Sequence, residues 1–515
     1  MRTFRQRRAR LLAVAAGAVL GATALTGCSD SGELRAEAAG TSPGSGGSLG
    51  GSGETSKPRP PRPHDVPLNA DAGRGGGAVV AAGGPGAPYN YGPSAMADGP
   101  TTRMWWCSQY PSAMPAGDDI LYGESPKVDG PFTAPGGGPP VAVLSGNPGQ
   151  FDGMHTCDPS VLRVDGTYYL YYTGAAGDHA LGNSVGLATS ADGITWTRAN
   201  GGKPILNPAH DVHRDNNYGS GQPSVVYLGG WFYLMFTDTT GRAAGWNGAG
   251  QFLLRSKDPA FASGVEALGE KGFAAAATTS AQRTRSLVDA FSADLMWVEA
   301  LDAFVIAHET SGGTTLTFWD RDFTANPFRP VTVPGAWQEG PGLVRAPDGH
   351  APLSQADPCG RVPFDVVRAT VIGGANAPTD LRHFGIDVHG VRACTDPGRT
   401  LAVLDGFAMP SPDRTMDLVI AGRVLRVDRR SVAERLATTL GPRRLPVLDG
   451  LPVAARLGGQ APAVRTPDGR TGFVLADGTL WRVRPGSVAE VNGSPVETVT
   501  DERWRSYPAG ASLGR

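Results

Sequence analysis

The amino-acid sequence predicts an all-β fold, because one strand motif recurs along most of the chain. The segment 158–173 reads DPSVLRVDGTYYLYYT and aligns without a gap on the segment 222–237, which reads QPSVVYLGGWFYLMFT. More diverged copies start at Gly92, Asp294 and Gly340. Each copy opens a unit of roughly four strands. Five such units predict a five-bladed β-propeller, and a small repeated β module follows it.

Within each unit, a tight turn joins the first two strands. The turn is Asp165-Gly166 in one copy and the Gly-Gly pair 229–230 in the next. The strand after the turn is rich in aromatic residues, which suits burial on both faces of a sheet. A further strand follows, for example at residues 185–190. No segment has the pattern of a long amphipathic helix, which argues against an α/β fold.

The N-terminal segment has the features of an export signal. Five arginines among the first ten residues precede an apolar stretch, 11–25, that is too short to span a bilayer. The stretch runs into Leu25-Thr26-Gly27-Cys28, which resembles the lipobox of bacterial lipoproteins. That resemblance implies cleavage before Cys28, acylation of this cysteine, and anchoring of the exported lipoprotein at the extracytoplasmic side of the cell membrane.

Composition divides the chain into four parts: a signal peptide at 1–28, a tether at 29–85, the propeller at 86–400 and the repeated module at 401–515. The tether is rich in Gly, Ser and Pro and has too few large apolar residues to fold, so it is expected to be disordered. In the last part, VIAGRVLRV followed by SVAE recurs as VLADGTLWRV followed by SVAE. This recurrence predicts two small β-rich repeats.

Four cysteines remain after Cys28, and an exported chain tolerates disulfides. Three pairings are possible, of which Cys107 with Cys157 and Cys359 with Cys394 join the cysteines closest in sequence. A metal site is a less favoured use of these residues, because no pair has CxxC spacing.

The repeat also predicts where chemistry could occur, since the residue that starts each inner strand of a propeller lies at one mouth of its central channel. The residues placed there are Gly92, Asp158, Gln222, Asp294 and Gly340, with Glu339 directly before the last. Three of them are carboxylates, and confined carboxylates shift each other's pKa values. Glycoside hydrolysis requires such a pair, one to protonate the leaving oxygen and one to activate water or attack carbon.

The segments DPSV at 158–161 and DGTYYLYY at 165–172 resemble the opening of family 43 glycoside hydrolases and their five-bladed relatives, the β-xylosidases, arabinanases and fructosidases. The resemblance covers the predicted propeller. It implies that Asp158 is the base or nucleophile, that Asp294 tunes pKa values and holds substrate, and that Glu339 is the acid. Relatives often hold a calcium ion in the channel, so calcium is a cofactor that the resemblance makes possible, although the residues themselves point to no metal.

Side chains in the loops that enter the inner strands suit a sugar, which is held by hydrogen-bonding groups and aromatic platforms. The residues predicted to bind substrate are His155, Gln222, Tyr218 and Trp337. His210 and His213 could also suggest a metal, but a solvated polar loop is the simpler interpretation.

Three functions fit these features. The first is an exported, lipid-anchored glycoside hydrolase that acts on polysaccharide or oligosaccharide side chains. The second is a non-catalytic glycan-binding or adhesion propeller, and the third is an assembly protein without a small ligand. The expected partners are a carbohydrate and, through Cys28, the membrane; a net charge of −2 gives no reason to expect nucleic acid. Convergence of Asp158, Asp294 and Glu339 on one pocket would favour the enzyme.

Overall fold

A computed structural model describes residues 64–84, 89–110, 114–177, 182–371 and 379–514, and these residues are mostly β. The predicted signal peptide, the lipidation site Cys28 and the first part of the tether lie outside the described residues. The short 3₁₀ helices are Asn200–Gly202, Trp246–Gly248, Glu299–Leu301 and Pro446–Leu448. None of the helices in the described ranges combines the length and apolarity that a membrane crossing requires.

The described part of the chain begins with two strands, β1 (Asn69–Ala70) and β2 (Arg74–Ala81). The strands from residue 90 to residue 389 then form five antiparallel units. Unit 1 contains β3 (Asn90–Asp98), β4 (Thr101–Gln109), β5 (Asp118–Ser125) and β6 (Val141–Leu144). Unit 2 contains β7 (His155–Val164), β8 (Thr167–Ala175), β9 (Ser184–Ser190) and β10 (Thr197–Arg198). Within each of these units, every strand pairs with the next one along the chain.

The next three units follow the same order. Unit 3 contains β11 (Ser220–Leu228), β12 (Trp231–Asp238), β13 (Gln251–Ser256), β14 (Glu266–Gly269) and β15 (Gly272–Ala275). Unit 4 contains β16 (Ala293–Val298), β17 (Ala303–Thr310), β18 (Gly313–Trp319) and β19 (Val331–Pro334). Unit 5 contains β20 (Gly342–Arg345), β21 (Arg361–Ala369) and β22 (Leu381–His389). A short parallel pairing of β20 with β3 joins units 5 and 1 into one nine-stranded sheet.

The first strands of the five units contact one another in cyclic order, β3 with β7, β7 with β11, β11 with β16, β16 with β20, and β20 with β3. Five apolar clusters follow the same order, one between each neighbouring pair of units. In β8, Tyr168, Leu170 and Tyr172 pack towards unit 1, whereas Tyr171 packs towards unit 3. Alternate side chains of one strand therefore serve two interfaces, which explains why this segment is apolar on both faces.

Unit 5 is completed by residues that the sequence assigned to the disordered tether. Both β1 and β2 pair antiparallel with β22. Val80 and Ala81 are buried, and the backbone carbonyl of Val80 accepts a hydrogen bond from the N–H of Phe132. The expected boundary at residue 85 is therefore corrected, because a few apolar residues suffice when an existing sheet edge supplies the pairing partner.

The remaining residues form two further sheets with short helices. The elements are α1 (Pro397–Val403), β23 (Phe407–Pro410), β24 (Met416–Ile420), β25 (Arg423–Val427), α2 (Arg430–Leu436), β26 (Thr439–Leu440), β27 (Val453–Leu457), β28 (Ala463–Arg465), β29 (Thr471–Val474), β30 (Leu480–Val483), α3 (Val488–Val491), β31 (Val496–Thr498) and α4 (Asp501–Ser506). Each copy of the recurring motif is a hairpin followed by a helix, β24–β25–α2 and β29–β30–α3. Both helices pack into one shared core. Disulfides join Cys107 to Cys157 and Cys359 to Cys394.

Candidate active site

The candidate site lies where the first strands of the units begin. Asp158 occupies a bulge in β7, between the paired residues Cys157 and Ser160, and has a φ of 46°. Gly92 and Gln222 occupy the same position in β3 and β11, with φ values of 53° and 52°. The left-handed region costs a residue with a side chain about 1–3 kcal/mol. Bulges of this kind redirect a side chain near functional sites, which fits a functional Asp158.

Glu339 lies near Asp158, and Gly92 connects the two segments that carry them. A Cβ atom on Gly92 would lie 3.0 Å from Oδ1 of Asp158, and a Cβ atom on Gly340 would lie 2.7 Å from Cα of Gly92. Glu339 directly precedes Gly340 in the chain. The two acids therefore come from units 2 and 5 and meet near the start of unit 1, where a side chain on Gly92 would crowd Asp158.

Two tyrosines donate hydrogen bonds to the two carboxylates. The hydroxyl of Tyr218 donates to Oδ2 of Asp158 at 3.4 Å, and the hydroxyl of Tyr89 donates to Oε2 of Glu339 at 3.3 Å. The rings of Tyr89 and Tyr91 are in contact, with their centroids 4.6 Å apart. Burial raises the pKa of Tyr89 and of Tyr218 well above the usual value, so both hydroxyls stay protonated and act as donors.

The two carboxyl groups have separated proton affinities. Burial raises the pKa of Asp158 to about 6, and the charge of Asp118 adds to this, while hydrogen bonds from Thr173 and Tyr218 oppose it. Burial and then the charge of Asp158 raise the pKa of Glu339 to about 7. Between these values Asp158 is ionised and Glu339 keeps its proton. The pair thus supplies one base and one acid at the same pH.

Asp118, at the start of β5, is a third carboxylate near the pair, and the sequence did not single it out. Its charge raises the pKa of both Asp158 and Glu339. Its Oδ2 lies 2.9 Å from Nδ1 of His155, which the sequence predicted to bind substrate. The only sequence signal was an Asp-Asp pair before an apolar strand, which a turn explains equally well.

A disulfide holds this region together. It joins Cys107 in β4 to Cys157 in β7, directly before Asp158. The hydroxyl of Tyr91 donates a hydrogen bond to Sγ of Cys157 at 2.8 Å, and a carboxylate oxygen of Asp118 lies within 4.8 Å of both sulfur atoms. Within the described ranges, these two cysteines and Asp118 form the one cluster with metal-ligand spacing, and the disulfide removes both thiolates as ligands.

The structure corrects the placement of Asp294 at the mouth with Asp158 and Glu339. Asp294 is 7% exposed. Its Oδ1 accepts a hydrogen bond from Oγ of Ser224 at 2.5 Å, and its Oδ2 accepts one from the N–H of Leu343 at 2.7 Å. This carboxylate is engaged inside the ring of first strands and does not face the pair.

The sequence alignment of the repeats placed Asp294 opposite Asp158, which is wrong by two residues. One hydrogen bond recurs between neighbouring first strands, from a backbone N–H of one strand to a side-chain oxygen of the strand before it. The donor and acceptor pairs are Val161 and Ser94, Val225 and Ser160, Leu295 and Ser224, and Leu343 and Asp294. Asp294 is therefore equivalent to the serines, and Ser292 is the residue that corresponds to Asp158. A shift of two leaves every side chain on the same face of its strand, so the apolar pattern could not reveal it.

Arg345 fills the centre of the ring and is 2% exposed. Its guanidinium donates hydrogen bonds to the hydroxyls of Ser94, Ser160 and Ser224 and to the carbonyls of Val225 and Leu295. Its Nη1 also lies 3.2 Å from Oδ1 of Asp294. The calcium ion that the resemblance made possible does not fit here, because a fixed positive charge already takes these oxygens.

The other residues predicted to bind substrate lie around the same end of the units. Gln222 is partly exposed, and its backbone N–H donates to Oγ1 of Thr173, which also hydrogen-bonds Asp158. Trp337 lies two residues before Glu339 and is 37% exposed. Its indole N–H donates to the carbonyl of Thr310 at 2.5 Å, which orients the exposed ring.

The C-terminal sheets lie at the opposite end of the first strands. A cavity of about 870 Å³ is lined there by Gly99 and His350 of the units and by Asp405, Glu434 and Leu440 of the C-terminal part. Gly99 follows the last residue of β3, whereas Gly92 lies near its beginning. The C-terminal part therefore leaves the Asp158 end uncovered.

No protein-family model matches the chain, and no curated protein matches its sequence. Among solved structures, similarity is found to a family 117 glycoside hydrolase of Zobellia galactanivorans, with 12% identity, 65% of this chain and 94% of that chain covered, and a TM-score of 0.42. An α-L-arabinofuranosidase of Podospora anserina gives 13% identity, 65% and 99% coverage, and a TM-score of 0.38. At such scores neither a shared fold nor a shared function follows from the likeness.

Proposed function

We propose that this chain is a five-bladed β-propeller glycoside hydrolase that cleaves sugar side chains from polysaccharides or oligosaccharides. The cyclic contacts of the five first strands support the propeller. The observation that carries the enzymatic proposal is the neighbouring pair Asp158 and Glu339 near Gly92, with pKa values raised to about 6 and about 7. A base paired with an acid is the arrangement that glycoside hydrolysis requires.

In this mechanism Asp158 removes a proton from water as the water oxygen attacks the anomeric carbon. Glu339 gives its proton to the glycosidic oxygen, and the bond from that oxygen to the anomeric carbon breaks. Direct displacement inverts the configuration, with the two carboxyl groups about 6.5–9.5 Å apart. Asp118 takes the tuning role expected of Asp294, because its negative charge favours retention of the proton on Glu339.

The proposal includes export and anchoring through acylated Cys28. The support is the lipobox-like Leu25-Thr26-Gly27-Cys28 after an apolar stretch of signal-peptide length. A carbohydrate outside the cytoplasmic membrane is then the natural substrate. Radiolabelled palmitate incorporation that is lost in Cys28→Ala tests the anchor separately from the chemistry.

The enzymatic proposal is tested with Glu339→Gln and a panel of aryl glycosides and oligosaccharides. A leaving group that departs easily needs little protonation, so dinitrophenyl glycosides should be cleaved almost normally by the variant. Oligosaccharides have poor leaving groups and should lose about 10²–10⁴-fold in kcat/KM. This dependence on the leaving group separates an acid from a residue that only supports the fold.

The matched control is Glu266→Gln, which makes the same chemical change in the outer strand β14, where Glu266 pairs with Arg255. Its kcat/KM should equal that of the unmodified chain on every substrate. Equal loss on all leaving groups in Glu339→Gln would exclude Glu339 as the acid.

A non-catalytic glycan-binding protein is the second candidate, and the exposed ring of Trp337 beside Glu339 favours it. An aromatic ring at this place can stack on a sugar face whether or not hydrolysis follows. Oligosaccharide binding without turnover of any glycoside in the panel would establish this function instead.

A further inference from the structure

A second cavity of about 470 Å³ lies beside the candidate active site. It is lined by Gly182, Pro208, His210, Val212, His213, Arg214, Asn216, Asn217, Gly219 and Thr240. Nearly all of these residues belong to the loop that leads into unit 3. The polar members offer imidazole, guanidinium, amide and hydroxyl groups, which are the groups that bind an oxygen-rich ligand.

One short segment separates this cavity from Asp158. Asn216, Asn217 and Gly219 line the cavity, while Tyr218 between them points its hydroxyl to Oδ2 of Asp158. The carbonyl of Tyr218 accepts a hydrogen bond from the N–H of Asn183, which holds the segment in place. A ligand that fills the cavity therefore contacts the residues on either side of Tyr218, the tyrosine that donates to Asp158.

The lining is basic and contains no carboxylate. The guanidinium of Arg214 is held by the carbonyls of Thr239, Gly241 and Ala244, so its positive charge has a fixed position. His210 has a φ of 54°, and its N–H donates to Oγ1 of Thr240.

The neighbouring acids are engaged elsewhere. Oδ2 of Asp211 accepts hydrogen bonds from the backbone N–H groups of Arg242 and Arg283. Asp238 forms a buried ion pair with the side chain of Arg283. Asp215 is exposed and does not line the cavity. The cavity lining thus offers one guanidinium and several neutral donors, and none of its residues is an acid.

We infer that this cavity is a subsite for an anionic sugar residue, one that carries a carboxylate or a sulfate group. The inference rests on the proposed function, since it places the acidic residue next to the glycosidic bond at Asp158 and Glu339. A carboxylate or sulfate accepts hydrogen bonds from imidazole and guanidinium groups in a charge-assisted way, which a neutral hydroxyl does not match. The substrate class is therefore an acidic polysaccharide.

The test measures binding, with turnover suppressed by Glu339→Gln. An oligosaccharide array presents neutral, uronate-bearing and sulfate-bearing glycans of equal chain length. We expect the protein to bind only the glycans that carry an anionic group. Comparison of the uronate-bearing with the sulfate-bearing glycans identifies which anionic group it prefers. Substitution of His210→Asn together with His213→Asn should weaken that binding about tenfold or more. Asparagine tolerates the left-handed backbone at position 210, so the loop conformation is kept.

The matched control is His64→Asn, an exposed histidine outside the site, which should leave the affinity unchanged. Retention of neutral glycans only, retention of none, or equal affinity in the double variant would overturn the subsite. Cleavage is scored separately on the unmodified chain. Acidic glycans that bind but are not cleaved would refute the hydrolase while supporting the subsite.

Discussion

In the proposed mechanism, Asp158 and Glu339 take opposite roles because they lie in different surroundings. Burial raises both pKa values, and the second acid is raised further because it faces the charge of the first. In that mechanism the carboxyl group with the lower pKa, Asp158, is the base, and Glu339 keeps its proton and is the acid. Tyr89 and Tyr218 remain donors throughout this range, and each holds one of the two carboxyl groups.

The first prediction concerns the pH dependence of oligosaccharide cleavage. Because Asp158 must be ionised and Glu339 protonated, kcat/KM should rise through about pH 6 and fall above about pH 7. Asp118→Asn removes a charge that raises both pKa values, so both limbs should move to lower pH. A profile that stays unchanged in this variant would contradict the assignment of Asp118.

The second prediction concerns stability. The folded state raises the pKa of Glu339 from its ordinary value to about 7, so the folded chain takes up a proton and stability is lost as the pH rises through that value. Glu339→Gln removes the buried charge and should stabilise the fold by about 2 kcal/mol near pH 8, a magnitude reduced for partial exposure.

Thermal unfolding of both proteins measures this difference. Near pH 4 the two should unfold at nearly the same temperature, since the carboxyl group is then protonated in both states. A variant that is less stable near pH 8 would show that the Glu339 charge is favourable in the fold, against its raised pKa.

At the scale of elements, the first strands are tied together by side chains from their own starts. Ser94, Ser160, Ser224 and Asp294 each accept a hydrogen bond from the next strand in the cycle. Arg345 contacts groups in units 1 to 4 from its own position in unit 5. A single buried guanidinium thus takes the place at the centre that a metal ion could otherwise fill.

The third prediction is that Arg345→Met destabilises the chain by about 3–5 kcal/mol, because it leaves the Asp294 carboxylate buried beside fewer donors. Chemical denaturation measures the free energy of unfolding. Adding Asp294→Asn to the variant should restore part of the loss, since the stranded charge is then removed.

Arg430→Met is the matched control, because Arg430 and Glu434 form an exposed ion pair whose loss should cost less than about 1 kcal/mol. Similar losses in both variants would mean that the central arginine has no special structural role. EDTA should leave the unfolding temperature of the unmodified chain unchanged if the guanidinium is the central cation.

At the scale of the whole molecule, the strands near the N-terminus complete unit 5. β1 and β2 pair with the free edge of β22, and Val80 is buried against units 1 and 5. Residues on both sides of units 1 to 4 in the sequence therefore meet in one sheet. The C-terminal sheets contact the other end of the units and leave the Asp158 end uncovered.

The fourth prediction follows from the pairing of β1 and β2 with the edge of β22. A chain that begins at residue 85 lacks β1 and β2 and should lose at least about 2 kcal/mol of stability, the value of burying one large aliphatic side chain. Its control begins at residue 63 and keeps both strands. Equal unfolding temperatures for the two chains would show that the edge pairing adds nothing.

The sequence by itself determined the strand repeat, the apolar character of both faces of strands such as β8, and the positions of Asp158 and Glu339 at strand starts. These features are local, since they depend on side-chain alternation and on turn residues within one unit. Only the tertiary structure decided that Asp118 joins the two acids, that Asp294 binds Arg345 inside the ring, and that residues 69–81 complete a sheet. Each of those outcomes depends on which distant segment supplies a charge, a donor or a pairing edge, and a pattern of period two carries no information about that.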